Sequence, residues 1–109
     1  MNKIFLLGRL CQEPGTSYSS SNVAICKFML AVDKPYKENR GDDEASADFI
    51  PCVIFGKKAE LVQQYFRKGN KIAVQGRLST SSYKKDGKKQ YSYNIEVSDF
   101  DFCESARQV

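Results

Sequence analysis

The segment "GKKAELVQQYFRKGNKIAVQGRL" (residues 56–78) contains the change of period that decides the fold. In its first half Ala59, Val62 and Phe66 recur at helical spacing, and Leu61 and Tyr65 lie one turn apart beside them. Side chains so spaced share one side of a helix, which predicts a short amphipathic helix. Arg67 and Lys68 suit its C-terminal end, and Gly69 suits the cap. In the second half the period falls to two. Ile72, Val74 and Leu78 share one parity, while Lys71, Gln75 and Arg77 share the other. That alternation predicts a strand with one face on a core.

Outward from this segment the chain reads as strands. Upstream, "NKIFLLGRLC" (2–11), "VAICKFMLAV" (23–32) and "DFIPCVIF" (48–55) are rich in β-branched and aromatic residues. Turn formers fill "QEPGTSYSSSN" (12–22) and "DKPYKENRGDDEAS" (33–46), which predicts loops. Pro51 has no N–H to donate and belongs at an edge or bulge. Downstream, Tyr91, Tyr93, Ile95 and Val97 are in phase, and after Ser98 the phase moves to Phe100 and Phe102, which predicts a bulge. Five strands with one short helix between strands 3 and 4 exclude a βαβ protein. The order is that of the OB-fold, an all-β barrel whose closure removes exposed edges. The 109 residues are read as a single domain, 1–109. The tripeptide Gly-Arg-Leu at 8–10 and 76–78 places a glycine in each of two strands, where barrels bend sharply.

Composition narrows the chemistry. With 41% hydrophobic and 28% charged residues the chain is ordinary globular protein. No apolar run approaches a membrane span, and the N-terminal apolar run of four residues is too short for a signal peptide; a cytoplasmic protein with no membrane association is expected. There is no histidine, and the four cysteines (Cys11, Cys26, Cys52, Cys103) form no close pair, so no metal and no cofactor is expected and the thiols read as free. The acids of "GDDEAS" read as a solvated loop, since no second acidic cluster supports a metal nuclease. No nucleophile–base constellation stands out, and the chain is read as a non-enzyme.

The net charge is +4, but residues 96–109 carry −3, leaving +7 on the remainder. Within that remainder aromatic rings neighbour cations in three places. Tyr36 lies between Lys34 and Lys37, with Arg40 nearby; Phe55 precedes Lys57 and Lys58, with Phe49 in its phase; Tyr83 precedes the four lysines of "YKKDGKK" (83–89). A groove for single-stranded nucleic acid needs this combination, because cations follow the phosphates and flat rings stack on unpaired bases. Asp86-Gly87 is a two-residue hairpin signal. A two-residue turn would set Lys85 opposite Lys88 and Tyr83 opposite Gln90; a longer loop would reverse the faces, and the sequence does not choose. Phe49 and Phe55 are each either core or stacking platform, while Tyr91, Tyr93, Phe5, Phe66, Phe100 and Phe102 are assigned to core or interface. Strands 1 to 3 hold apolar residues in both phases, so part of their outer face should be covered by another subunit or a ligand.

The segments "NKIFLLGRL", "FMLAVDKPYKE", "ADFIPCVIFGKKAELVQQYFRKGNKIAVQGRL" and "TSSYKKDGKKQYSY" span most of the chain, and in that order they resemble the bacterial single-stranded DNA-binding protein family (SSB), phage and plasmid members included. The resemblance implies an OB-fold that stacks bases on Tyr36, Phe49, Phe55 and Tyr83. Lys57 and Lys68 match basic family positions. With Lys34, Lys37, Arg40, Arg77, Lys84, Lys85, Lys88 and Lys89 they make the expected phosphate contacts. It also implies a homo-oligomer, a tetramer or alternatively a dimer, and sequence-independent binding and protection of single-stranded DNA in replication, recombination and repair. The chain departs from the family in three respects: it has no tryptophan, it has serine and threonine at 79–82 where relatives are often basic, and it ends in "CESARQV" rather than an acidic tail. Replication and repair proteins are expected as partners only of a form that carries such a tail. The alternative function is an OB-fold replication-restart (primosomal) adaptor with weak DNA binding.

Overall fold

The computed structural model describes residues 1–35 and 46–103. Its elements are β1 (Ile4–Leu10), β2 (Gly15–Tyr18), β3 (Ala24–Asp33), β4 (Ala47–Phe55), α1 (Lys57–Tyr65), β5 (Lys71–Lys85) and β6 (Lys88–Phe102). Neighbouring strands run β1-β5-β6-β4-β3-β2, and an extra pairing of β1 with β3 at Arg9↔Ala31 and Leu10↔Leu30 closes the ring. Among the described residues only β4 and β6 are parallel, paired over Cys52↔Ile95 to Ile54↔Val97. The result is the expected all-β OB barrel.

The expected strand count needs one correction. Residues 12–22 are not wholly loop, because Gly15–Tyr18 pairs with Ala24–Lys27 of β3 as a short added strand. The helix therefore lies between β4 and β5, not between strands 3 and 4. Four residues are too few to show a period, and Gly15, Thr16 and Ser17 read as turn formers. Tyr18 donates its hydroxyl to Glu60 Oε2 at 3.1 Å, tying this strand to α1.

The core follows the phases of the strands. Cys26, Phe28 and Leu30 of β3, Cys52 and Ile54 of β4, Ile72 and Val74 of β5, and Ile95 and Val97 of β6 are buried together. The helix lays Ala59 and Val62 on this core, and Phe66 follows them in. Its end differs from expectation. Phe66 is the C-cap in extended conformation, and the Arg67 guanidinium donates to the carbonyls of Gln63 and Phe66, both at 2.9 Å. Gly69, at φ +89°, is a turn residue instead; its N–H donates to Leu10 O at 2.8 Å and anchors the start of β5 to the end of β1.

Two glycines let backbones meet. A Cβ on Gly8 would stand 2.4 Å from Ala31 O at the barrel seam, and one on Gly76 would stand 2.1 Å from Glu96 O. The repeated Gly-Arg-Leu thus marks two close crossings. Beside Gly76 the register slips by one: Gln75 faces Asp99 but Gly76 faces Val97, so Ser98 is the expected bulge. The extra residue turns Phe100 onto the core, where its ring meets Phe66 edge-on at 5.6 Å. Pro51 lies one residue before the ladder with β6 begins, consistent with its missing donor.

Candidate nucleic-acid interface

The face of the sheet opposite the core is continuous across four strands. Lys27 of β3 pairs with Val53 of β4, Val53 with Glu96 of β6, and Glu96 with Arg77 of β5. Phe55 and Phe49 lie on this face at either side of Val53, two and four residues away. On β5 the same parity runs from Arg77 through Ser79 and Ser81 to Tyr83. Three of the four expected stacking residues therefore share one surface. Phe49 is 54% exposed, Phe55 49% and Tyr83 53%, so all three present ring area to solvent, and the core reading of Phe49 and Phe55 is set aside. Ile25 and Ala31 of β3 flank Phe55 and Phe49 respectively.

The rings mark out a track and not a pocket. Phe55 and Phe49 are six residues apart on one strand, about 20 Å. Tyr83 is six residues beyond Arg77, again about 20 Å along β5. Such spacing lets each ring meet a different base.

Tyr83 stands on an arm in which β5 and β6 run past the barrel. Asp86 (φ 55°) and Gly87 (φ 77°) form the two-residue turn, both with positive φ as a type I′ turn requires. The register is the one with Lys85 opposite Lys88 and Tyr83 opposite Gln90. Ser81 and Ser92 bridge the arm by a hydroxyl–hydroxyl hydrogen bond of 2.7 Å on the Tyr83 face. Lysine thus faces lysine twice, at Lys84↔Lys89 and Lys85↔Lys88. Tyr91 and Tyr93, assigned to core or interface from sequence, are exposed on the arm's other face. Phe5 and Phe102 are also exposed, whereas Phe66 is buried and Phe100 packs on the core.

The expected phosphate contacts are distributed unevenly. Arg77 lies on the aromatic face but is engaged by Glu96, Nη2 to Oε1 at 3.0 Å. Lys34 is paired with Asp48 at 2.7 Å, and Asp48 has the core phase of β4. Lys57 begins α1 directly after Phe55-Gly56 and is exposed. Lys68 is exposed beyond the far end of α1, its N–H donating to Glu13 Oε2, so a helix of about 13 Å separates it from Phe55. Lys84, Lys85, Lys88 and Lys89 are exposed on the arm. Tyr36, Lys37, Arg40 and the acids of "GDDEAS" lie outside the described residues.

Two cations on or beside this face were missed. Lys27 is exposed beside Val53, and its signal was a charge at the outer phase of an otherwise apolar strand. Lys3 lines a cleft with Phe55, Arg77 and Glu96. It is placed there by Asn2, whose side chain pairs both ways with the main chain of Leu78, at 2.9 and 3.0 Å.

The thiols take no part. Cys26 and Cys52 are buried, and burial pushes the Cys52 thiol up to about 12. Cys103 is exposed. Among the described residues no three metal-binding side chains gather, and no helix is long and apolar enough to cross a membrane.

Comparison with known proteins agrees with the architecture. A single-stranded DNA-binding protein of Fusobacterium nucleatum subsp. nucleatum is 41% identical over 105 residues, covering 96% of this chain and 68% of that protein. One from Clostridium perfringens is 39% identical over 107 residues, covering 96% and 67%. Single-stranded DNA-binding protein 3 of Listeria innocua is 41% identical over 106 residues, covering 96% and 65%. The chain spans about two thirds of the length of these relatives. The model of the single-strand binding protein family matches residues 1–103, and the chain belongs to that family.

Proposed function

We propose that this chain binds single-stranded DNA with little regard to sequence, keeping exposed strands unpaired and shielded during replication, recombination and repair. The observation that carries the reading is the shared face of Phe49, Phe55 and Tyr83, three half-exposed rings bordered by cations. Every base offers a flat surface to such rings, so stacking is tolerant of sequence. Lys3, Lys27 and Lys57 and the arm lysines supply charge for the phosphates; Lys37 and Arg40 would extend that set, and Tyr36 would add a fourth ring. Duplex readers chiefly insert a helix into the major groove. Here α1 has nine residues and lays Ala59 and Val62 on the barrel. The work is binding, without turnover.

The reading includes self-association. β1 pairs with β5 from Ile4 to Arg9 but with β3 only at Arg9 and Leu10, which leaves its other edge open over most of its length. Phe5 and Leu7 are exposed on that strand and line a hollow together with Ala73, Asp99 and Asp101. An open edge with exposed apolar side chains is a ready surface for a second copy, and a dimer or tetramer would cover it.

The test is fluorescence anisotropy of labelled oligo-dT at several salt concentrations, with the same strand as a duplex for control. Tight single-strand binding that weakens as salt rises, with little duplex binding, is expected. Weak binding to both would overturn the reading in favour of an adaptor that mainly touches other proteins.

A further inference from the structure

The β5–β6 arm has two faces, and the track through Tyr83 uses only one. The other carries Thr80, Ser82 and Lys84 from β5, set against Tyr93, Tyr91 and Lys89 from β6. Tyr91 is 73% exposed and Tyr93 57%. Lys89 Nζ stands 5.9 Å from the centre of the Tyr91 ring, and Lys84 faces Lys89 across the arm. None of the paired positions on this face from Thr80↔Tyr93 to Lys84↔Lys89 is acidic; the one acid of the segment, Asp86, is in the turn. The opposed lysine pair costs the arm stability, and the two rings are left largely to solvent. They are the components that single-strand grooves combine.

We propose that this second face is a further binding surface for single-stranded nucleic acid, with Tyr91 and Tyr93 as stacking platforms and Lys84 and Lys89 as phosphate contacts. The inference rests on the single-strand reading above and adds a second pass of the strand behind the arm. Residues two apart on an antiparallel strand are separated by about 6.8 Å. That is twice the roughly 3.4 Å interval between stacked bases, so one base fits between the two rings. Charge selects the occupant. A second copy of this arm would bring its own lysine pair against Lys84 and Lys89, and like charges in contact repel. A phosphate backbone brings the opposite sign.

The experiment uses the full chain and a long oligo-dT carrying photoreactive bromodeoxyuridine, with cross-linked residues mapped by mass spectrometry. Adducts on Tyr91 or Tyr93 are expected in addition to any on Tyr83. A double variant, Tyr91→Ser with Tyr93→Ser, is expected to bind long oligo-dT about tenfold more weakly, with its mass in solution unchanged. Both side chains are exposed, so the variant is expected to fold, and a thermal melt checks this. Adducts confined to the Phe49, Phe55 and Tyr83 face, with affinity within about twofold of the unaltered chain, would overturn this inference alone. A fall in oligomer mass without adducts would give the face to a second copy and also overturn it. Failure of the unaltered chain to bind oligo-dT would overturn both readings together.

Discussion

Arg77 and Glu96 face each other across β5 and β6, and the guanidinium gives both Nε and Nη2 to a single carboxylate oxygen, at 3.1 and 3.0 Å. Among the described residues, the one arginine of the aromatic face therefore already has an anion. A phosphate arriving there competes with Glu96. Both partners are substantially solvated, so the pair itself contributes under about 1 kcal/mol to stability. Glu96→Gln is expected to leave the melting temperature nearly unchanged and to raise affinity for oligo-dT at low salt. The slope of log K against log salt is expected to steepen by about 0.7, one further phosphate contact on a single strand. Weaker binding by this variant would mean that Glu96 holds Arg77 in its binding pose.

The three rings of the outer face make a second prediction. Phe49→Ala, Phe55→Ala and Tyr83→Ala are each expected to cost about 1–3 kcal/mol of binding to oligo-dT, the range seen for base stacking on aromatic side chains. None of the three fills the core, so their thermal melts should shift far less than that of a core variant such as Phe66→Ala, for which a loss of about 3–5 kcal/mol is ordinary. Anisotropy titrations beside melts separate the two effects. A ring whose loss lowers stability but not affinity would be a packing residue, and its place in the track would be withdrawn.

The arm lysines affect stability and binding with opposite signs. Without a ligand, Lys84↔Lys89 and Lys85↔Lys88 set like charges face to face, which costs up to about 1 kcal/mol per pair. Replacing all four by Gln is expected to stabilise the free chain slightly. The same change should weaken oligo-dT binding and flatten the salt slope by up to about 3, if each lysine meets a phosphate. A slope that does not move would identify the tip as a solvated turn with no part in binding.

How much of this was legible in the sequence depended on whether a residue's phase was enough to place it. The alternation of β5 picked out Ile72 and Val74 as inward-facing, and the slip after Ser98 located the bulge. The strand at Gly15–Tyr18 was invisible because a four-residue edge strand needs neither apolar residues nor alternation. Phe49 and Phe55 could be assigned a shared phase but not a side, since β4 is apolar on both. Only the pairing of Val53 with Lys27 and Glu96 shows that their side is the solvated one. Tyr91 and Tyr93 were in phase with buried Ile95 and Val97, so they read as core or interface. The arm runs past the barrel there, and the phase continues with nothing left to pack against. Lys3 could not be found from pattern, because its position depends on the long-range contact of Asn2 with Leu78.

Alkaline pH provides a test of the core through Cys52. Its thiol is almost fully buried, and desolvation of the thiolate holds its pKa at about 12, against an ordinary value of 9.0. The unfolded chain loses this proton near pH 9, whereas the folded chain keeps it to about pH 12. Above pH 9 the unfolded state therefore binds fewer protons, and stability falls with rising pH through this window. The slope for one thiol approaches about 1.4 kcal/mol per pH unit. Below pH 8 both states are protonated and Cys52 contributes no pH dependence. Cys26 is shifted in the same direction by burial and adds to the effect. In urea melts the native chain is expected to lose about 1 kcal/mol more than Cys52→Ala between pH 8 and pH 10. The variant is less stable at pH 8 because a buried sulfur is removed, so the decisive quantity is the difference in slope and not the absolute stability. Parallel losses in the two proteins would mean that the folded state admits water to Cys52, and that the core beneath the aromatic face is looser than its packing indicates.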